Sequence, residues 1–263
     1  MFTKFFKMTG QPFTERAAVT QTLRNEQMSQ ALARLLYMVC HGTIALIAGP
    51  TGVGKSTLIK LFLEKLPKNH YQPLYIHFTH IRASSLLKLI VTELGEIPKL
   101  TKERLFLQVL DKVSKNNLIH VLILDEAHLL DKDAIVDLRL LVSSALDETP
   151  PLKIILSGQE ELVRKLKTGS HKDFAQRISV CCHLKALSFP QTTAYIDFQM
   201  NYVGASDNVF EEEVKKMIHE YSNGIPRQIN NIATGCLLNA SITKCQKIDM
   251  DLLNQTMAEF ELF

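Results

Sequence analysis

"GPTGVGKST" (residues 49–57) sets Gly49, four intervening residues, and then Gly54, Lys55 and Ser56. Glycines permit backbone angles that other residues avoid, so successive N–H groups in such a loop can point into one concavity that suits an anion. A helix beginning at its end adds its positive dipole end to the same place. The spacing predicts a phosphate-binding loop formed by Gly49, Pro50, Thr51, Gly52, Val53, Gly54, Lys55, Ser56 and Thr57. Lys55 is expected to reach the β- and γ-phosphates, and the Ser56 hydroxyl to help hold Mg²⁺. Outward from the loop, "TIALIA" (43–48) reads as a buried strand. "STLIKLFLEKL" (56–66) reads as a helix, with Leu58, Leu61, Phe62 and Lys65 at helical spacing and no Gly or Pro inside. Strand, glycine loop and helix are the context that the motif requires.

The same alternation continues downstream. "PLYIHFT" (73–79) reads as a strand, "SSLLKLIVTELG" (84–95) and "KERLFLQVLDKVSKN" (102–116) as helices. An apolar strand in "LIHVLILDEAHLLD" (118–131) ends in two acids. The helix "AIVDLRLLVSSAL" (134–146) stops at Pro150 and Pro151, then come the strand "LKIILSG" (152–158), a helix from Gln159 to Lys167 and the strand "ISVCCHL" (178–184). Strands alternating with helices imply an open parallel sheet covered on both faces. From residue 187 the strand signals cease. Phe210, Val214, Ile218 and Tyr221 form one helical stripe, and Ile225, Ile229, Ile232, Cys236 and Ala240 another, so the remainder reads as a small helical domain. The expected division is an α/β nucleotide-binding domain over 1–186, including an N-terminal segment and helix, and an all-helical lid over 187–263.

"VLILDE" (121–126) supplies the partner of a phosphate loop. A strand end is expected to project Asp125 toward a Mg²⁺ shell, where its charge offsets the cation, and Glu126 to orient and polarise an attacking water. Two adjacent carboxylates ending an apolar strand would be a poor choice without a cation or solvent to satisfy them. His128 completes a DEAH sequence, but DEAH helicases carry two tandem motor domains, more than 263 residues hold. His128 is read as a partly exposed residue after the strand, and His77 and His80 as loop residues.

Composition bounds the rest. The chain is 46% hydrophobic and 22% charged, as a soluble globular protein would be. No apolar run approaches the roughly 20 residues of a membrane span, and "MFTKFFKMTGQPF" has no long apolar region of a signal peptide; no membrane partner and a cytoplasmic location are expected. Five cysteines without a metal-ligand spacing suggest reduced thiols. Cys181 and Cys182 are neighbours on a strand and so face opposite ways. A net charge of +3 permits nucleic-acid binding without demonstrating it.

The order of phosphate loop, "LDEAH", "IILSGQEEL" (154–162), "FAQRISV" (174–180) and "SNGIPRQIN" (222–230) resembles an AAA+ ATPase. More narrowly, it is similar to the ExeA-like and TniB-like ATPases and the transposition helper ATPases, over residues 5 to 245. "FFKMTGQPF" resembles that group's FFG-x-x-x-x-PF opening, with Lys7 where glycine is usual. The resemblance implies a P-loop AAA+ (ASCE) fold, a parallel sheet sandwiched by helices with a C-terminal helical lid, and an ATPase using ATP and Mg²⁺. It implies a first sensor at Ser157, with Gln159 as competing candidate, an arginine finger at Arg177 acting on a neighbouring subunit's nucleotide, and a second sensor at Arg227. Pro12 and Phe13 would lie near the adenine. Gln199 stands where many relatives have an arginine in the first lid helix.

The resemblance leaves two functions open. In one, a ring or filament of this chain forms on double-stranded DNA, without sequence preference, and regulates a transposase or another client. In the other, the ATPase drives assembly of a secretion or envelope complex. For the first, Lys99, Lys102 and Arg104, around a helix start expected at Thr101, are candidate phosphate contacts. A solvated helix end would carry the same residues.

Overall fold

The computed structural model describes residues 2–14, 21–23, 25–77, 83–115, 117–143, 152–205 and 208–260. Among these residues five strands pair in parallel in the order β2-β3-β4-β1-β5: β1 (Ile44–Ala48), β2 (Tyr71–His77), β3 (Ile119–Asp125), β4 (Leu152–Gly158) and β5 (Ile178–His183). β1 and β4 are buried along their whole length, as unbroken apolar runs must be when helices cover both faces. β2 is an edge strand, burying only Leu74 and Ile76. That position tolerates Pro73, which has no N–H for a second neighbour.

Side chains alternate across the sheet. Ile44, Leu46, Leu74, Ile76, Leu122, Leu124, Ile154 and Leu156 join one core with α4 (Ala83–Glu93), α5 (Lys102–Ser114) and α6 (Lys132–Ser143), the last packed also on α8 (Lys172–Ala175). α7 (Glu160–Leu166) adds Leu162 and Leu166. Residues of the other parity, Ala45, Ile47, Val121 and Ile123, are also buried. Near β1 and β5 lies α2 (Glu26–His41), which packs on α3 (Lys55–Lys65). Thr101 caps α5, its side chain accepting from the Arg104 N–H (3.4 Å).

The chain divides into two compact units, one of Glu26–Thr51 with Lys55–Leu184, the other of Met1–Asn25, Gly52–Gly54 and Lys185–Phe263. The second contains α1 (Phe2–Phe5), α9 (Phe189–Tyr202), α10 (Glu212–Ser222), α11 (Pro226–Thr243) and α12 (Met250–Phe260). This corrects the placement of the first 25 residues within the α/β domain. Phe2, Phe6 and Phe13 are buried with Ile196, Phe210, Ile229 and Leu253, because three aromatic side chains in a short segment find their apolar partners among the lid helices. Gly224, in the motif "SNGIPRQIN", has φ 69° and lies against Leu187: a Cβ there would run into the Leu187 carbonyl oxygen. Only glycine fits that turn.

Lys7 occupies a left-handed conformation, φ 55°. A lysine thus stands at a position where the backbone has the shape glycine favours.

Candidate nucleotide site

The parallel register brings the strand ends to one edge of the sheet, where ligands of open α/β folds bind. Ala48 pairs with Gly158, and His77 with Asp125. The loop leaves β1 there, tied to β4 by the Gly49 N–H donating to the Gly158 carbonyl (3.3 Å). Gly52 and Gly54 have φ of 81° and 108°. Lys55 opens α3 nearly buried, and its ammonium donates to the carbonyls of Gly49 and Pro50, both at 2.9 Å. The cation is thereby held over the loop by the loop's own backbone.

Asp125, only 1% exposed, ends β3. Its Oδ2 accepts from the Ser56 hydroxyl (3.2 Å) and the Tyr75 hydroxyl (3.0 Å). Its Oδ1 accepts from the Ser157 hydroxyl (2.8 Å) and the Glu126 N–H (3.0 Å). His77 Nδ1 stands 3.7 Å from Oδ2. Burial first, then the charge of Asp125, push the Tyr75 phenol above its ordinary range. The hydroxyl of Ser56 and the carboxylate of Asp125 are hard oxygen donors on adjoining elements, a set that suits Mg²⁺.

Glu126 follows in a left-handed conformation, φ 55° and ψ 34°, at the entry to a 3-10 turn over Ala127–Leu129. This turn lets consecutive carboxylates take different surroundings: Asp125 is enclosed, while the Glu126 side chain keeps 28% of its surface open. A half-open carboxylate beside a held carboxylate is an arrangement able to separate water activation from cation binding.

His128 is not the partly exposed residue expected from sequence. It is 9% exposed, because the 3-10 turn folds it back toward α7. Nδ1 is 3.2 Å from Glu126 Oε2, and Nε2 is 3.3 Å from the Gln159 amide nitrogen. Of the two first-sensor candidates, Ser157 is fully buried on Asp125, whereas Gln159 faces His128. His77 ends β2 and is therefore a strand residue, not a loop residue; His80 lies outside the described residues.

The remaining expected site residues lie on other elements. Arg177 is exposed between α8 and β5, and no ion pair holds it among the described residues. Arg227, exposed at the start of α11, donates its backbone N–H to the Gly52 carbonyl (3.3 Å) within the same unit. Its Cβ would lie 2.8 Å from a Cβ built on Gly52.

Pro12 and Phe13 are both buried in the C-terminal unit. The Phe13 ring meets Phe210 edge-on, with centroids 6.1 Å apart, and belongs to the core of that unit. Gln199 is buried too, exchanging hydrogen bonds with Gln21: Gln21 Nε2 donates to Gln199 Oε1 (3.2 Å), and Gln199 Nε2 to the Gln21 carbonyl (3.1 Å). A neutral amide suits an enclosed place where a charge would be expensive.

The three basic residues near Thr101 do not form one free cluster. Lys102 donates to the buried Asp137 on α6 (2.7 Å), because a carboxylate enclosed there requires a counter-charge. Lys99 and Arg104 are exposed.

Three residues at the edge of the site were missed from sequence. Tyr75 and His77 alternate outward on an edge strand, and strand pairing with β3 was needed to place them beside Asp125. Lys165 donates to the His128 and Leu130 carbonyls, at 2.5 and 2.8 Å, closing the turn after Glu126 from α7. A lysine in "EELVRKL" carries no sequence signal of that role.

Residues 40–166 match the AAA domain family. General secretion pathway protein A of Aeromonas hydrophila is 30% identical, over 94% of this chain and 46% of that protein; the chain thus spans less than half of its relative's length. The Aeropyrum pernix ORC2 protein, solved as ADPNP-ADP complexes, has a similar structure, with TM-score 0.70 and 16% identity over 95% of this chain and 71% of that one. The Aeropyrum pernix ORC1 protein in complex with DNA has TM-score 0.72 and 15% identity, covering 94% of this chain and 68% of that one. No described helix is long and apolar enough to cross a membrane. With the strand order, the loop and the acids at one sheet edge, these likenesses show that the chain has the P-loop AAA+ fold.

Proposed function

We propose that this chain is a Mg²⁺-dependent ATPase that self-assembles and uses its nucleotide state to control a larger complex. The observation that carries the reading is the Lys55–Ser56–Asp125–Glu126 arrangement, in which the ammonium sits on the loop and Ser56 stands 3.2 Å from Asp125. Lys55 and the loop N–H groups bind and orient the β- and γ-phosphates. Ser56 and Asp125 would hold Mg²⁺, which supplies neutralising charge at the phosphates. Glu126 takes the proton of the attacking water. Ser157 is the first sensor, its hydroxyl linked to Asp125, and Arg227 the second. Arg177, exposed and without an ion pair among the described residues, acts as a finger on the nucleotide of an adjoining subunit.

The first reading of the client is double-stranded DNA bound through its backbone, with a transposase or another DNA machine under control. It draws on the exposed Lys99 and Arg104, and on the DNA complex of the similarly folded ORC1 protein. The second is assembly of a secretion or envelope complex. The 30% identity with a general secretion pathway protein supports it, as does the engagement of Lys102 by Asp137, which leaves fewer cations for phosphates.

Calorimetry and phosphate release test the ATPase: Glu126→Gln should bind ATP and fail to hydrolyse it, and turnover at the parental rate would remove Glu126 as the base. Fluorescence anisotropy with duplex DNA separates the clients. On the first reading, binding is far tighter with a non-hydrolysable ATP analogue than with ADP and falls steeply with salt. Equal, negligible binding in every nucleotide state at low salt selects the second.

A further inference from the structure

His128 and Gln159 lie outside the roles assigned above, yet they connect the end of the strand that carries the first sensor position to the carboxylate that receives the proton. Gln159 begins the step from β4 into α7, and its amide nitrogen is 3.3 Å from His128 Nε2. An amide N–H donates, so in this contact Nε2 accepts and carries no proton. The neutral imidazole then bears its proton on Nδ1, the nitrogen 3.2 Å from Glu126 Oε2. Nδ1 is enclosed and has no aligned hydrogen-bond acceptor among the described residues, since Glu126 lies near it but off the bonding line. A small rotation of the half-open Glu126 side chain would bring it into line. His128 is also held through its backbone. Its backbone carbonyl is gripped by Lys165, which also holds the Leu130 carbonyl.

We propose that His128 is a positioning residue for the Glu126 carboxylate, and that Gln159 selects the tautomer in which His128 can perform that role. The inference rests on Glu126 being the general base. An N–H directed at one carboxylate oxygen restricts the rotamer of Glu126 and leaves the other oxygen to accept a proton from water. Gln159 adjoins the strand residue Ser157 by one glycine, so a shift at the end of β4 on nucleotide binding would reach the base through an amide and a ring. No new covalent step is involved; the proton still passes from water to Glu126.

Two substitutions of His128 separate positioning from packing, because asparagine places its amide near the position of Nδ1 and glutamine near that of Nε2. His128→Ala should lower kcat by about 10-fold, less than the ~10²–10⁴ supplied by a general base, with KM for ATP unchanged. His128→Asn should recover most of kcat, and His128→Gln should not. In ¹⁵N-histidine spectra the parental chain should show His128 protonated on Nδ1, and Gln159→Leu should shift the population toward the other tautomer. In the Glu126→Gln background, His128→Ala should cause no further loss, since partners in one device are not additive. Parental kcat in His128→Ala, or equal behaviour of the Asn and Gln variants, would overturn the proposal while Glu126→Gln remains inactive. Parental turnover in Glu126→Gln would instead overturn the base assignment, and with it this inference.

Discussion

In the unit of Glu26–Thr51 and Lys55–Leu184, side chains meet because strands lie side by side; in the other unit they meet because distant ends of the chain come together. Asp125 reaches His77 through a single strand pairing, and Ser157 through the β3–β4 pairing next to it. Thr9, by contrast, donates to the carbonyl of Val203, 194 residues away, and Phe13 packs on Phe210. Polar chemistry concentrates at the strand ends of the first unit. The second is knit by aromatic rings and the neutral pair Gln21–Gln199. A regular sheet can therefore place reactive groups through register alone, while an irregular helical unit relies on individual side chains finding remote partners.

The largest effect expected from this contrast concerns an exposed arginine of the sheet unit. Arg177→Ala should retain ATP binding and lose turnover by about 10³–10⁵, as removal of an arginine finger does. Mixing Arg177→Ala with Lys55→Ala should recover activity, since one variant keeps the loop and the other the arginine. An inactive mixture, with mixed oligomers demonstrated by native mass spectrometry, would show that the site is completed within one chain.

Next in size is the core of the other unit. Phe13→Ala should destabilise it by about 3–5 kcal/mol, the range for a buried phenylalanine. Hydrogen exchange should show the loss in residues 2–14 and in α9 to α12, while β1, β3 and β4 keep their protection. Equal loss in those strands would mean that the two units unfold as one and would break the comparison. The smallest effect is a gain. Lys7→Gly should stabilise by about 1 kcal/mol, by removing a left-handed conformation from a residue with a Cβ, and a urea titration would read it. No gain would mean that Lys7 contributes packing that offsets its strain.

The same contrast explains what could be read without coordinates. The strands, the glycine loop after β1 and the place of Asp125 at a strand end were legible because each depends on local spacing: "IALIA" is buried whatever its neighbour, and the loop's glycines define its shape. The helix start at Thr101 followed from one capping side chain. Tyr75 was not legible as a partner of Asp125, since that contact depends on which strand lies beside β3. His128 was misplaced because exposure after a strand end depends on the direction of the next turn, and Glu126 turns left-handed there. The first 25 residues were assigned to the domain that they precede, whereas their phenylalanines are partners of helices formed by the last third of the chain.

That burial of the N-terminal phenylalanines imposes an order in time. A ribosome adding about 5–20 residues per second delivers Val203 some 10–40 seconds after Thr9, given the 194 residues between them. Until then Phe2, Phe6 and Phe13 have no native apolar surface to cover them, although the sheet strands, finished at His183, can already pair. The nascent chain therefore carries an unburied aromatic segment throughout synthesis of its sheet. Transiently exposed apolar surface of this kind favours aggregation, and here it is covered only once α9 to α12 have emerged.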